Sequence, residues 1–130
     1  MGHSTRLGEA SVHTTLPAQD LDRARAFYWD KLGLEPIEET NGGLLYEMAG
    51  GSQFFVFETA GKPTGEYTQI GFRIDDLDAT AAELQARGVE FEEYRIPGLK
   101  SVGGIVDLPG RRAAWLKDSE GNLLGLVQFT

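Results

Sequence analysis

The chain has 130 residues, 41% apolar and 25% charged, with no cysteine and a formal charge of −8. That length buries one core and hardly two; the missing thiols exclude disulfides, thiolate metal sites and cysteine nucleophiles, and the acidic balance opposes nucleic acid or an anionic membrane as partner. No apolar run reaches the length of a membrane span and residues 1–11 carry no apolar signal core, so a cytoplasmic protein is expected.

Residues 1–10 read as a tail, in which Met1-Gly2-His3-Ser4 is taken as a cloning remnant and His3 as uninformative. Residues 10–16 alternate, with Val12, Thr14 and Leu16 on one face and His13 and Thr15 on the other, which is a strand pattern. Asp20 caps a helix in which Leu21, Ala24, Phe27, Tyr28 and Leu32 recur at helical spacing, and Gly33 supplies a left-handed stop. Three short strands follow at 35–39, 43–48 and 53–58, divided by the turn signals Asn41-Gly42 and Gly50-Gly51. Residues 62–65 link to a second half. There residues 68–74 alternate, Asp75 or Asp76 caps a helix bearing Leu77, Ala81 and Leu84, and Gly88 ends it. Residues 89–95 read as a strand. The stretch 96–112 carries Pro97, Gly98, Gly103, Gly104, Pro109 and Gly110, too much punctuation for regular structure beyond a short strand at 104–108. A hairpin of 113–117 and 123–129, turning at Asp118-Ser119-Glu120-Gly121-Asn122, closes the chain.

The two halves are one unit used twice. At a shift of 56 residues Asp20, Leu21 and Asp22 fall on Asp76, Leu77 and Asp78, and Leu16 falls on Phe72. The same shift pairs His13 with Gln69, and equivalent positions of two copies related by a pseudo-twofold face one another across its axis. The repeated Asp-Leu-Asp reads as helix capping with first-turn charge, not as a carboxylate pair for acid-base work.

Asp20-Leu21, the helix with Ala26-Phe27-Tyr28, Leu32-Gly33-Leu34 and the terminal Asp118-x-x-Gly121-Asn122 hairpin, in this order and with the repeat, resemble the vicinal oxygen chelate superfamily of glyoxalases, bleomycin-resistance proteins and extradiol dioxygenases. The resemblance runs over residues 11–130. It implies an α+β fold of two tandem βαβββ units forming an open eight-stranded cup, a single domain over 11–130 with units at about 11–59 and 66–130, and a ligand or metal in the concavity. The superfamily's metal positions fall on His13, Gln69 and Gly125; a further glutamate of some glyoxalases falls on Phe57, or with a one-residue slip on Glu58. Imidazole is a good ligand, a Gln carbonyl a weak one, and glycine offers none, whereas a catalytic ion needs about three protein ligands and an open position. No competent metal site and no cofactor are therefore expected. A divalent metal recruited through Gln69 and an acid such as Glu47 or Glu58 is the alternative.

The function expected from this resemblance is binding of a small, partly apolar molecule in the cup, as resistance proteins of the superfamily sequester drugs, with His13, Gln69, Phe55, Phe57 and Trp115 in contact. Alternation lets either Phe55 and Phe57 or Phe54 and Val56 face the cup. His13 is the one candidate catalytic group. A lyase, isomerase or dioxygenase-type enzyme would use it as base or metal ligand, while a plain core histidine would bond to Gln69 or a carbonyl. A dimerisation domain with a vestigial pocket is a further alternative. Lys100, Arg111 and Arg112 would attract an anion if 96–112 covers the cup, and are otherwise solvated charges. Open sheet edges imply a homodimer through the first strand, its repeat partner or the helix faces beside them, with no nucleic acid or membrane among the partners.

Overall fold

In the computed structural model residues 5–130 are described, so the tag-like segment with His3 lies outside the described residues. The first unit comprises β1 (Thr14–Ala18), α1 (Leu21–Leu32), β2 (Glu38–Thr40), β3 (Gly43–Glu47) and β4 (Gln53–Glu58). The second comprises β5 (Thr68–Arg73), α2 (Leu77–Ala86), β6 (Arg95–Ile96), β7 (Leu99–Val102), β8 (Ile105–Leu108), β9 (Arg111–Lys117) and β10 (Leu123–Phe129). Both helices start alike. An aspartate in extended backbone, Asp20 or Asp76, accepts a hydrogen bond from the amide three residues on, at 3.0 Å in each case, satisfying a donor the helix itself leaves free. Gly33, at φ 69°, ends α1 by turning its amide back onto the Trp29 carbonyl while Leu34 bonds that of Tyr28.

The internal repeat is a repeat of topology. The first sheet runs β1-β4-β3-β2 and the second β5-β10-β9-β8, with β1 parallel to β4 and β5 parallel to β10; the short β7 and β6 then extend the second sheet. Both sheets are open and no strand pairing joins them among the described residues.

Four elements differ from expectation. β1 begins at Thr14, so His13 precedes the strand. The 35–39 strand starts later, at Glu38, beyond Pro36, whose ring nitrogen has no proton for a ladder. Residues 89–94 form no strand of their own but run beside β9, the Glu92 amide donating to the Trp115 carbonyl at 2.8 Å. The stretch 96–112 is more regular than its punctuation implied. Gly98 (φ 80°), Gly103 (φ 61°) and Gly104 (φ 85°) sit at the tips of tight hairpins, so the glycines mark turns between very short strands.

A single core joins the units. Leu16, Tyr28, Phe54 and Val56 from the first pack in one cluster with Ile70, Leu77, Leu116 and Leu124 from the second, and the Phe54 and Phe72 rings meet edge to face at 5.9 Å. Phe54 also stacks on Tyr46 at 4.8 Å. Burying each such ring stabilises the fold by roughly 1.5–3 kcal/mol. Because Phe54 and Val56 are committed to this core, strand alternation turns Phe55 and Phe57 to the opposite face. Each sheet thus gives one face to the shared core and turns the other outward. No helix among the described residues is long and apolar enough to cross a membrane.

Candidate functional site

On the outer face of the first sheet Phe55 stands opposite Leu45, and Phe57 opposite Gly43, all but the glycine half-exposed. A Cβ at Gly43 would run into the tip of the Phe55 ring, so this glycine leaves the space that the ring fills against β3. Thr15 and Pro17 share that face by their register against Phe55 and Phe57.

On the outer face of the second sheet Trp115 stands opposite Gly125, and Gly125 opposite Gly71. The Trp115 Nε1–H donates to Thr68 Oγ1 at 3.0 Å, and the Tyr94 ring meets the indole edge to face at 5.3 Å and 80°. Thr68 reaches the indole because the β5–β10 register slips: Leu123 pairs with Thr68 but Leu124 with Ile70. Gln69 is the extra residue of that slip. It is half-buried, and its Oε1 has no hydrogen-bond partner. His13 is exposed ahead of β1, and no hydrogen bond joins it to Gln69. Sequence reasoning grouped Phe55, Phe57 and Trp115 in one cup, with the face of residues 54–57 left open between Phe55/Phe57 and Phe54/Val56; the structure puts Phe55 and Phe57 on one sheet and Trp115 on the other, and Thr68 and Tyr94 beside Trp115 were missed. A period-two argument cannot anticipate a slipped register, and Tyr94 stands in a segment whose course is set by tertiary contacts.

Tyr94 is itself held by the β6–β7 hairpin. Ser101, nearly buried, donates from Oγ to Glu93 Oε2 at 2.6 Å, accepts the Tyr94 amide at 2.9 Å, and bonds the Tyr94 carbonyl through its own amide at 2.9 Å. Of the three cations of 96–112, Lys100 and Arg111 are exposed. Arg112 is bound to Asp78 and to Asp107, at 2.8 Å each, which ties β9 to the start of α2 and β8.

A second polar cluster, absent from the sequence reading, joins the closing hairpin to α1. Tyr28 Oη donates to Asp118 Oδ2 at 2.7 Å, Asn122 Nδ2 donates to the same oxygen at 2.8 Å and to the Pro17 carbonyl at 3.0 Å, and Arg23 grips Glu120. Burial, and then Asp118, push the Tyr28 phenol well above its ordinary pKa, so it remains a donor. The side chains of this cluster bond one another, apart from Asn122 Oδ1, which has no partner. Grooves elsewhere, one of about 450 Å³ over α1 lined by Asp22, Arg25, Trp29 and Glu35, contain none of the expected contact residues. Among the described residues no three His, Cys, Asp or Glu side chains stand together as a metal site.

A profile of the glyoxalase/bleomycin resistance protein/dioxygenase superfamily matches residues 10–126. The chain belongs to that superfamily. A search of curated proteins gives no match. Among solved structures, the chain is similar to TnmS3, an antibiotic binding protein from Streptomyces sp. CB03234, at 25% identity and a TM-score of 0.69 over 93% of this chain and 98% of that one. It shares its fold with a putative glyoxalase family protein from Bacillus anthracis (18% identity, TM-score 0.71, 93% and 95% covered) and with the fosfomycin resistance protein FosX from Listeria monocytogenes (22%, 0.69, 93% and 92%). Position 125 is a glycine on the outer face of the second sheet, opposite Trp115. A Cβ there would lie 3.0 Å from Thr68 Cγ2 and 3.3 Å from Trp115 Nε1, so a side chain would crowd both partners of the indole hydrogen bond.

Proposed function

We propose that this member of the superfamily binds a small, partly apolar molecule on its outward sheet faces, without a resident metal, as a homodimer. One observation carries the reading: two outward faces present half-buried aromatic rings, Phe55 and Phe57 on one sheet, Trp115 and Tyr94 on the other, with Phe55 packed against Gly43 and the Trp115 indole braced by Thr68. Aromatic surface held in place but left open to solvent is what a ligand site needs, and a core does not. The similarity to an antibiotic binding protein supports the same reading.

The three superfamily metal positions do not fit an ion. His13 is exposed ahead of its strand, Gln69 is a neutral oxygen donor within a bulge, and Gly125 has no side chain to offer, with Thr68 and Trp115 crowding the place of one. We therefore assign no metal-dependent step to this chain.

The outward faces of one chain point away from the core they share, so a second copy is what brings two of them together. β1 pairs only with β4 and β5 only with β10, so these edge strands, like β2 and β6 at the opposite ends of their sheets, have a free side for such a copy. The reading is tested by thermal unfolding of the purified protein with a panel of aromatic and apolar small molecules, beside elemental analysis. A molecule that binds only the folded state raises the midpoint in a concentration-dependent way. A stoichiometric ion at His13, with no small molecule raising the midpoint, would reject it.

A further inference from the structure

We infer that Gly125 is a specificity-determining position: by carrying no side chain it lets the Trp115 indole reach across β10 to Thr68, and so turns the place of a metal-ligating carboxylate into a ledge for a flat aromatic ring. The inference rests on the reading of the outward faces as a binding surface and names the class of ligand that surface takes.

Crowding at Gly125 comes from Thr68 and the indole together. The nearest atoms to a Cβ at this position are Thr68 Cγ2 at 3.0 Å and Trp115 Nε1 and Cδ1 at 3.3 and 3.4 Å, the two partners of the indole hydrogen bond. At Gly71, its register partner on β5, a Cβ would meet nothing within 4 Å. The sheet therefore has a filled position and an open one side by side: an indole fixed over Gly125, and bare backbone beside it over Gly71. A flat ring can lie on bare backbone against the indole, where a branched aliphatic group of equal volume would not reach the sheet. Tyr94 closes the far side of the indole at 5.3 Å. Its position is set by the triple contact with Ser101, so the ledge keeps its shape without a ligand.

The test uses 9-aminoacridine as a flat probe and 1-adamantanamine as a globular one, both monocations, so that attraction to the acidic chain is common to the two. Trp29, 56% exposed on α1, is replaced in the parent protein (Trp29→Phe) so that emission reports Trp115 alone. The acridine is expected to quench that emission saturably and the adamantane amine is not. Gly125→Ala should weaken acridine binding about tenfold, which corresponds to about 1.4 kcal/mol, and shift the emission of the free protein as the indole moves. Gly71→Ala should weaken binding similarly by covering the open backbone, with the free emission unchanged. Thr68→Val removes the indole's acceptor without adding volume and carries the same test if Gly125→Ala does not fold, as judged by circular dichroism. Parent-like acridine affinity in folded Gly71→Ala, together with Gly125→Ala or Thr68→Val, would overturn the inference. Loss of binding in Phe55→Ala in that case would leave the broader reading standing. If the parent binds neither probe saturably, both fall.

Discussion

Arg23 and Glu120, 97 positions apart, are joined by two hydrogen bonds, Nε to Oε2 at 2.8 Å and Nη2 to Oε1 at 3.0 Å. The Glu120 side chain is 1% exposed although it sits in a hairpin turn, and its Oε1 also accepts the amides of Gln19 and Asp20, at 3.0 and 3.1 Å. A carboxylate of the second unit thus holds the N-cap of the first unit's helix, so the turn at the end of the chain and the beginning of α1 order one another.

Acid should loosen this junction. Arg23 first, with the Asp20 amide and Ser119 adding to it, pulls the Glu120 pKa down from an ordinary 4.5 to about 2. As pH falls the unfolded chain takes the proton first, so the stabilisation is complete above 4.5 and disappears between there and about 2. Allowing for the half-exposed Arg23, the contribution is about 2 kcal/mol. Glu120→Gln should lower the melting midpoint at pH 7 and flatten its dependence on pH below 5. Parallel melting curves of the two proteins down to pH 3 would contradict this.

Tyr28→Phe probes the other half of the junction. Asp118 accepts from the Tyr28 hydroxyl, from Asn122 Nδ2 and from the amides of Glu120 and Asn122, so removing the phenol oxygen leaves three of its donors in place. The ring still packs in the core against Tyr46 and Phe54. The expected cost is therefore that of one buried hydrogen bond, about 1–2 kcal/mol in urea unfolding, with an unchanged m-value.

Much of this architecture was legible in the sequence because it rests on local rules. Asp20, Asp76 and Gly33 cap helices wherever helical periodicity begins or ends, and the Asp-Leu-Asp repeat carried the topology of both units. The Phe54 to Phe57 run could not be oriented from alternation alone, since both faces of that strand are apolar; Tyr46 on the neighbouring strand and Phe72 in the second unit decide it. The hairpin acids were read only as turn formers. Their partners, Arg23 and Tyr28, lie about 90 residues or more away, and no short-range pattern reports such pairings.

Neighbouring phenylalanines should respond in opposite ways. Phe54, 1% exposed between Tyr46, Tyr28 and Phe72, should cost about 3–4 kcal/mol as Phe54→Ala because the rings around it cannot close the cavity. Phe55→Ala, on the half-exposed outward face, should cost under about 1.5 kcal/mol and act instead on ligand binding. Denaturant titrations of the pair, beside 9-aminoacridine binding, separate the roles.

Metal retention should be far below one equivalent per chain. Protein freed of any tag, incubated with Zn, Ni, Mn or Fe(II) and desalted, has His13 as its one good donor among the three superfamily positions, and neither Gln69 nor Gly125 completes a site. Elemental analysis that finds a stoichiometric ion lost on His13→Ala would contradict the metal-free reading.

Assembly should follow the free edges. Val12, 94% exposed, stands just before β1, and Tyr67, 68% exposed, just before β5, so the edge strands β1 and β5 are each preceded by a large apolar side chain with no place in the chain's own core. A closed twofold contact along these edges would bury both kinds of surface at once and set the Phe55 face of one copy toward the Trp115 face of the other. Light scattering at micromolar concentration should therefore give twice the chain mass, and Val12→Asp with Tyr67→Asp should shift it toward the monomer by placing four carboxylates in one contact. Because the two aromatic faces would then come from different copies, dilution below the dimer dissociation constant should weaken 9-aminoacridine binding in parallel with mass. A monomer mass in the parent, with undiminished binding, would instead place the ligand on the Trp115 face alone.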